Sequence, residues 1–198
     1  MFTGLIKSIG AIDSISTLGD GKEMIISADD MFINDIAIGD SISVNGVCST
    51  AIATTAQTFT VQYLRETLQK TTMDTLNTSD IVNLEPCLTL SDKLGGHLVS
   101  GHIDGIGHVL SLENSGEWAV ITIQFDPIFS AYLIPKGSIA IDGISLTVVD
   151  VTPTTFSCHL IPHTIQHTTL HQLSTGSMVN LEFDQVGKYL HRFYQLDN

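Results

Sequence analysis

The chain has 198 residues, of which 43% are hydrophobic and 15% charged, a composition that excludes general disorder and allows one large domain or two small ones. Lys and Arg total 8 against 21 Asp and Glu, and the resulting formal net charge of -13 makes nucleic acid and anionic membrane surfaces poor partners. Although the mean hydropathy is +0.26, no apolar run approaches the roughly eighteen residues that a membrane-spanning helix needs. We therefore expect a soluble protein.

Neither the first residues nor the cysteines indicate secretion. The segment Met1–Lys7 lacks a basic n-region, so no signal peptide is predicted. The three cysteines, Cys48, Cys87 and Cys158, are odd in number and widely separated, which argues against both a disulfide framework and a zinc knuckle. Free thiols and a cytoplasmic location are expected.

Short strands dominate the predicted elements. Runs rich in Val, Ile and Thr, separated by Gly, Asp, Asn and Ser, predict β-strands at Glu23–Ser27, Ser41–Thr50, Thr58–Tyr63 and Ile81–Leu84. One short helix with a Thr-rich entry is predicted in each half, around Glu66–Thr72 and Thr164–Leu170. Apolar residues at helical spacing in Asp184–Tyr194 predict an amphipathic helix that packs on its own barrel or on a partner subunit. The alternation typical of parallel α/β folds is missing, and barrels are favoured.

The second half of the chain repeats the first without a gap. Gly4 corresponds to Gly101, a shift of 97 residues, and the same shift places Ser41–Thr50 on Ser138–Thr147. It also places Val82-Asn83-Leu84-Glu85 on Val179-Asn180-Leu181-Glu182. A period this long matches a small domain rather than a solenoid repeat. We therefore predict homologous domains at residues 1–97 and 98–184, followed by a helix at 185–198; chance similarity of two β-rich halves is the alternative.

Each half contains one strong hairpin signal. Asn45-Gly46 and Asp142-Gly143 predict two-residue type I′ turns. The implied register places Ser41, Ser43, Cys48 and Thr50 on one face, with Ser138, Ala140, Ser145 and Thr147 as their equivalents. One interpretation is a polar face in contact with water. The other is a twin pocket for a hydroxyl-rich or heterocyclic ligand, which the absence of Lys and Glu on this face favours.

Histidines provide a weaker signal. A spacing of four residues could align metal ligands on one helix face, and it relates His159, His163, His167 and His171. Pro162 interrupts the series, and the first half carries ordinary charged residues at the aligned positions, so no metal is expected. His97 is interpreted as structural. His102 replaces Leu5 of the first half, so its role is specific to one copy.

At this point the motifs identify a family. They are Met1-Phe2-Thr3-Gly4, Val44-Asn45-Gly46-Val47-Cys48-Ser49-Thr50, Glu66-Thr67-Leu68, Leu94-Gly95-Gly96-His97-Leu98-Val99-Ser100-Gly101-His102, the segment from Lys136 to Thr147, and Leu160-Ile161-Pro162-His163-Thr164. Over nearly its whole length the chain resembles the riboflavin synthase family of the α-chain type. The resemblance implies an all-β fold of two homologous six-stranded Greek-key β-barrels, both lumazine-binding, and a short C-terminal α-helix for oligomerisation.

The resemblance also implies the reaction and its residues. Two molecules of 6,7-dimethyl-8-ribityllumazine exchange a four-carbon unit, giving riboflavin and 5-amino-6-ribitylaminopyrimidinedione, without a cofactor or metal. The implied catalytic residues are Cys48, His102, Ser41, Ser145 and Phe2. The implied substrate-binding residues are Gly4, Leu5, Ile6, Cys48, Ser49, Thr50, Gln62, Tyr63, Leu64, Arg65, Glu66, Thr67, Gly101, His102, Ile103, Lys136, Ser145, Leu146, Thr147, Ile161, Pro162, His163, Thr164, Ile165, Gln166 and Asp184. A homotrimer is implied, with an active site shared between subunits, and an association with lumazine synthase is left open.

Two departures from the family pattern bear on these expectations. Ser49 stands where the pattern has Leu, which predicts looser local packing, and His163 replaces a common Glu. The alternative function is a non-catalytic lumazine or flavin carrier with the same two barrels. The retained polar residues, Ser41, Cys48, His102, Ser145 and Thr147, favour the enzyme.

Overall fold

The computed structural model describes residues 1–196, so the end of the predicted 185–198 helix lies outside the described residues. The strands of the first half are β1 (Ser8–Leu18), β2 (Gly21–Ser27), β3 (Ser41–Val44), β4 (Val47–Thr50), β5 (Ala53–Thr54), β6 (Thr58–Tyr63) and β7 (Ile81–Pro86). Those of the second half are β8 (Gly105–Ser115), β9 (Trp118–Gln124), β10 (Ser138–Ile141), β11 (Ile144–Val151), β12 (Thr155–Leu160) and β13 (Met178–Phe183). The α-helices are α1 (Asp30–Asn34), α2 (Arg65–Lys70), α3 (Pro162–Gln166) and α4 (Gln185–Leu196). The predicted all-β class with few helices is confirmed.

The second half forms a closed barrel. Its six antiparallel strands follow the order β10-β11-β12-β9-β8-β13, and β13 pairs with β10 to complete the circle. Strand β11 bends to pair with β10 over Ser138–Thr147 and then with β12, with an irregularity between Val148 and Val151. Such bulges let one strand turn the corner of a small barrel.

The first half has the same circular order, but one strand is interrupted. Its sheet runs β4-β3-β7-β1-β2-β6-β5, and β4 and β5 together occupy the place of β11. Between them, Ala51 N–H donates to Asp40 O and Ile52 N–H to Thr60 O, both at 2.9 Å. The first half therefore has seven strands instead of six. Ala51 and Ile52 leave the strand pairing and divide one strand into β4 and β5, whereas the equivalent strand β11 bends without a break.

Each barrel has its own apolar core, and a third small cluster lies at their junction. Buried Ile, Val, Leu and Phe side chains fill the two barrels separately. The junction cluster contains Phe2, Val99 and Ala140, with Cys48 and Cys87 packed against it. Phe2 and Val99 also form an isolated antiparallel bridge. The N-terminal segment of each half therefore meets its equivalent between the barrels.

The helix that follows β6 and β12 is shorter than predicted and is followed by a separate 3₁₀ helix in each half. The 3₁₀ helices span Thr72–Thr75 and Thr169–Gln172. The threonines do not cap α2 or α3, which begin after Leu64 and Ile161 without a side-chain cap. Thr71 and Thr168 instead accept hydrogen bonds at the starts of the 3₁₀ helices. The sequence pattern therefore predicted a single helix in each half where the structure has an α-helix and a 3₁₀ helix, separated by Thr71 or Thr168.

The predicted C-terminal helix is present as α4. Its residues Val186, Tyr189, Leu190 and Phe193 are 60 to 64% exposed. Lys188 Nζ lies 2.7 Å from Asp104 Oδ2 and ties the helix to the second barrel. Within residues 1–196, no helix combines the length and apolar character needed to cross a membrane.

Candidate functional site

The predicted hairpin register is confirmed in both halves. Ser43 pairs with Cys48 and Ser41 with Thr50, and Ala140 pairs with Ser145. The turn residues Asn45 and Asp142 have φ of 44° and 45°, as a type I′ turn requires. Their equivalent faces carry half-buried Cys48 and Ser145, whereas Ser43 and Ala140 are buried at the junction. The polar face is therefore neither fully in water nor fully in a core.

Each hairpin is completed by the loop that begins the opposite half. Cys48 N–H donates to Gly101 O, and Ser145 N–H donates to Gly4 O, both at 2.8 Å. Ile103 packs against the first core and Ile6 against the second. We call the region of Cys48 and 101–103 the first site, and the region of Ser145 and 4–6 the second site. This exchange was not predicted from sequence.

Close backbone approach explains the glycines in these loops. Gly4 and Gly101 have φ of +76° and +81°. A Cβ on Gly4 would lie 2.5 Å from Ser145 Cβ, and one on Gly101 would lie 2.6 Å from Cys48 Cβ. Any side chain at these positions would push the loop off its hairpin.

His97 contacts the second site, although the sequence suggested only a structural role. Its Nδ1 lies 2.7 Å from Ser145 Oγ, and its buried Nε2 has no hydrogen-bond partner among residues 1–196. Burial lowers the pKa of His97, while the nearby Asp184 and Glu182 oppose that shift. Burial therefore favours the uncharged form of this imidazole beside the Ser145 hydroxyl. The adjacent Gly95-Gly96 was the signal, because small residues permit this close approach.

Two buried glutamates hold the loops. Glu85 accepts hydrogen bonds from Thr3 and Gly4, and Glu182 accepts the equivalent bonds from Ser100 and Gly101. Burial raises the pKa of Glu85, and the hydrogen bonds from Thr3 and Gly4 act in the opposite direction. These glutamates were not selected as site residues. Their signal in the sequence was a charged residue repeated at the end of an apolar strand.

Other predicted site residues take defined positions. Phe2 is fully buried, and its ring contacts Gly101, so it faces the floor of the first site. Ser41 is half-buried, and its carbonyl accepts from Cys87 N–H. His102 is exposed, and its N–H donates to Ser100 Oγ at 3.2 Å.

At the second barrel, Thr147 and Lys136 are exposed, and Lys136 has a φ of 68°. Asp184 Oδ1 accepts from Val186 N–H at 2.9 Å and so begins α4. The same carboxylate acts electrostatically on His97. Asp184 thus connects the C-terminal helix to the second site.

The remaining predicted binding residues lie at two equivalent strand ends. Residues 62–67 join β6 to α2, and residues 161–166 join β12 to α3. Most of these side chains are exposed or half-buried, but Tyr63 is buried and its hydroxyl lies 2.7 Å from Ser49 Oγ. Burial raises the pKa of Tyr63. Ser49 and Leu146 are also buried, so they offer a ligand backbone atoms rather than side chains.

The histidine series does not converge on one point. The rings of His163 and His167 stack with centroids 4.2 Å apart. His167 Nδ1 bonds to His163 O, and His171 Nδ1 bonds to Thr168 O. Across residues 1–196, no group of three or more His, Cys, Asp or Glu side chains is arranged to hold a metal ion.

A groove of about 1130 Å³ borders the second site. Its lining includes Thr3, Leu5 and Gly95, together with Met31 and Phe32 of α1. The equivalent place in the second half holds a smaller groove of about 520 Å³ between Tyr132 and α4, and this groove contains Ser138 and Asp184. The two halves thus differ where α4 follows β13.

Comparison with known proteins gives matches along the chain. A family model described as lumazine binding domain matches residues 3–86 and again residues 100–184. Riboflavin synthase of Actinobacillus pleuropneumoniae is 42% identical over 193 residues, covering 98% of this chain and 89% of that protein. Riboflavin synthase of Bacillus subtilis (strain 168) is 38% identical over 198 residues, covering 100% of this chain and 92% of that protein.

A solved structure supports the fold. LumP complexed with 6,7-dimethyl-8-(1'-D-ribityl) lumazine superposes with a TM-score of 0.84 at 21% identity, covering 92% of this chain and 99% of that one. At this identity the likeness shows a shared fold. Together with the two family-model matches and the full-length relatives, it leads to one conclusion: the chain belongs to the riboflavin synthase family and contains two lumazine-binding domains.

Proposed function

We propose that this protein is a riboflavin synthase, which converts two molecules of 6,7-dimethyl-8-ribityllumazine into riboflavin and 5-amino-6-ribitylaminopyrimidinedione. The observation that carries the proposal is the twin site, in which two equivalent hairpins are completed by equivalent loops. A reaction between two copies of one compound needs two similar binding sites. The synthases at 42% and 38% identity support the same assignment.

The main task of the protein in this reaction is to orient the two lumazine molecules. The 7-methyl group of the lumazine is acidic because its carbanion delocalises into the ring, so a modest base can remove the proton. One lumazine then gives its four-carbon unit to the other, and the products contain all the atoms of the two substrates. Holding two reactants in the correct geometry replaces a bimolecular encounter and supplies much of the rate. Side chains need only move protons and add reversibly to the donor ring.

The first site provides a thiol and an imidazole. Cys48 and Ser41 lie on one hairpin face, and Gly101 brings exposed His102 beside it. We assign proton transfer to His102 and addition to the donor ring to Cys48, to a hydroxyl or to a bound water. The ring of Phe2 packs against Gly101.

The second site provides a hydroxyl beside a buried imidazole. His97 Nδ1, at 2.7 Å, can accept the Ser145 proton, and Thr147, Lys136 and Asp184 supply further polar contacts. Backbone groups of 4–6 and 161–166 hold the pyrimidinedione edge and the ribityl chain here. Residues 101–103 and 62–67 do so at the first site.

The proposal includes a cytoplasmic homotrimer with domains at 1–97 and 98–184 and an oligomerisation helix from residue 185. Exposed apolar residues of α4, at 60 to 64% for Val186, Tyr189, Leu190 and Phe193, support a contact with a second copy. Facing the first site of one subunit with the second site of another brings two lumazines together. The proposal also includes an association with lumazine synthase.

The direct test is to mix the purified protein with 6,7-dimethyl-8-ribityllumazine and to follow riboflavin absorbance. We expect one riboflavin for every two lumazines consumed, with no added metal or cofactor. Stable binding without conversion would instead identify a carrier. Cys48→Ala should lower kcat more than it raises KM, whereas Cys87→Ala, which removes a thiol from the same junction cluster, should leave kcat within about twofold.

The oligomer is tested by removing residues from Gly187 onward. Subunit association, measured by sedimentation, and riboflavin formation should fall together, because each reaction centre then loses its partner. A fully active monomer would contradict the shared active site.

A further inference from the structure

The repeated Val-Asn-Leu-Glu segment of β7 and β13 is not explained by ligand chemistry. Asn83, Glu85, Asn180 and Glu182 are between 0 and 2% exposed. Buried amides and carboxylates are costly unless every polar atom has a partner. Their partners therefore show what these four side chains do.

The glutamates make the same three contacts in each half. Glu85 Oε1 accepts from Thr3 N–H at 2.7 Å and from Thr3 Oγ1 at 2.6 Å, and Oε2 accepts from Gly4 N–H at 3.0 Å. Glu182 accepts from Ser100 N–H at 2.6 Å, from Ser100 Oγ at 2.7 Å and from Gly101 N–H at 2.8 Å. The hydroxyls then accept from Leu5 N–H and His102 N–H. One carboxylate, together with the hydroxyl that it binds, thus fixes three consecutive residues of each loop.

These loops belong to the opposite sites. Gly101 O receives Cys48 N–H, so the loop held by Glu182 forms part of the first site. Gly4 O receives Ser145 N–H, so the loop held by Glu85 forms part of the second site. The glutamate of each barrel therefore acts on the hairpin of the other barrel.

The asparagines likewise form hydrogen bonds with residues of the opposite half. Asn180 Oδ1 accepts from Thr72 N–H at 2.7 Å, and its Nδ2 donates to Asn45 O at 2.8 Å. Asn83 makes the equivalent bonds to Thr169 N–H at 2.9 Å and to Asp142 O at 3.1 Å. Each asparagine thus holds the hairpin turn and the 3₁₀ helix of the opposite half.

We propose that the Val-Asn-Leu-Glu strand of each half is the positioning element for the site of the other half. Asn180 and Glu182 position the first site, which contains Cys48 and His102. Asn83 and Glu85 position the second site, which contains Ser145. The crossed positioning is a property of the fold, and only its effect on turnover rests on the proposed function.

Glutamine is the discriminating substitution, because it keeps the shape of the side chain. All three groups that face each carboxylate are donors, so a glutamine must point its NH₂ group at one of them. The substitution loses a charged hydrogen bond and leaves a buried donor unpaired. It should therefore raise the equilibrium constant for opening of the contact between loop and hairpin roughly tenfold or more.

The test is amide hydrogen exchange of the full-length Glu182→Gln and Glu85→Gln proteins, read at the two hairpins without ligand. Exchange at Cys48 should accelerate roughly tenfold in Glu182→Gln and stay unchanged at Ser145. Glu85→Gln should give the reverse. Acceleration confined to the hairpin of the substituted half, or equal at both hairpins, would overturn the proposal.

Gentler variants keep the test decisive if a glutamine protein does not fold. Ser100→Ala and Thr3→Val each remove the hydroxyl contact to the carboxylate and the acceptor for the N–H of His102 or Leu5. They should accelerate exchange about threefold at Cys48 and Ser145 respectively. Riboflavin titration then separates positioning from general loosening: Glu182→Gln should weaken one of two binding sites per chain while thermal unfolding remains cooperative. Because exchange needs no ligand, a crossed pattern stands even if the protein fails to convert lumazine.

Discussion

The first and second sites share a backbone arrangement but differ at key side chains. Cys48 and Ser145 occupy the same hairpin position, and Gly101 and Gly4 approach them identically. His102 accompanies the first site, whereas Leu5 stands in its place at the second. His97 reaches Ser145 Oγ, but among residues 1–196 no side chain forms a hydrogen bond with Cys48 Sγ. Duplication preserved the geometry of the pocket while its chemistry diverged.

This difference suits a reaction in which one compound takes two roles. Two identical pockets would bind donor and acceptor equally, and nothing would decide which ring gives up its carbons. In the proposed mechanism, the different side chains on an equivalent backbone would provide that decision. Equivalent substitutions in the shared backbone should therefore damage their respective sites to a similar extent, whereas substitutions at unmatched positions should affect the two sites differently.

The largest expected effect comes from the glycines at the shared contact. Gly101→Ala and Gly4→Ala would each place a Cβ within 2.6 Å of the opposite hairpin, in a backbone conformation that disfavours alanine. We expect each to lower kcat/KM for riboflavin formation at least about 100-fold. Gly176→Ala is the control, because Gly176 has a φ of +90° with nothing within 4 Å of its Cβ position. Gly176→Ala introduces only the backbone strain, without a new contact. If it lowered activity as much as Gly101→Ala does, the close contact with the hairpin would not explain the loss.

The next effect concerns the unmatched pair Asn45 and Asp142. Burial raises the pKa of Asp142 to about 7. Because the folded state holds the proton more tightly than the unfolded chain, Asp142 stabilises the fold at low pH and loses that contribution as pH rises from about 4 through 7. Asp142→Asn should therefore raise the free energy of unfolding at pH 8 by about 2–4 kcal/mol and change it little at pH 4.

Urea unfolding at both pH values measures this effect, and Asn45→Asp gives the reverse experiment. That substitution places a second carboxylate at the equivalent buried turn and should destabilise the protein at pH 8. Equal stability of Asp142→Asn and the unsubstituted protein at pH 8 would show that the carboxylate is solvated or paired when charged.

The smallest effect concerns Ser49, which the sequence suggested would loosen packing. Ser49 Oγ bonds to Tyr63 Oη at 2.7 Å and to Val47 O at 3.0 Å, so the serine satisfies a buried hydroxyl. Ser49→Ala should lower the unfolding free energy by about 1–2 kcal/mol, and the double variant with Tyr63→Phe should recover part of that loss. Additive losses in denaturant unfolding would show that the two hydroxyls do not depend on each other.

Local signals predicted the hairpins well. Asn-Gly and Asp-Gly turns fix a register on their own, so the faces of Ser41–Thr50 and Ser138–Thr147 followed from spacing. The repeat, the all-β class and the amphipathic α4 also followed from pattern. The helices near Glu66 and Thr164 were merged with their 3₁₀ neighbours, because a threonine can cap either element and spacing does not say which.

The site itself was predicted only as a set of residues. Nothing in the linear order pairs Cys48 with Gly101 or Ser145 with Gly4, since each partner lies in the other repeat. His97 carried no sign of its target Ser145 for the same reason. Glu182 and its partners Ser100 and Gly101 lie in the same half, but 81 to 82 residues separate them in the sequence. Groups distant in sequence meet only after both barrels have closed.

The sequence by itself determined that this protein is a duplicated β structure with two matched polar hairpins, because periodicity and turn chemistry act over a few neighbouring residues. Only the tertiary structure decided which loop completes which hairpin. Two similar barrels packed about a common junction can exchange their loops or keep them; here each loop reaches the opposite hairpin while the buried glutamate of its own half binds it. Local pattern contains no information about that choice.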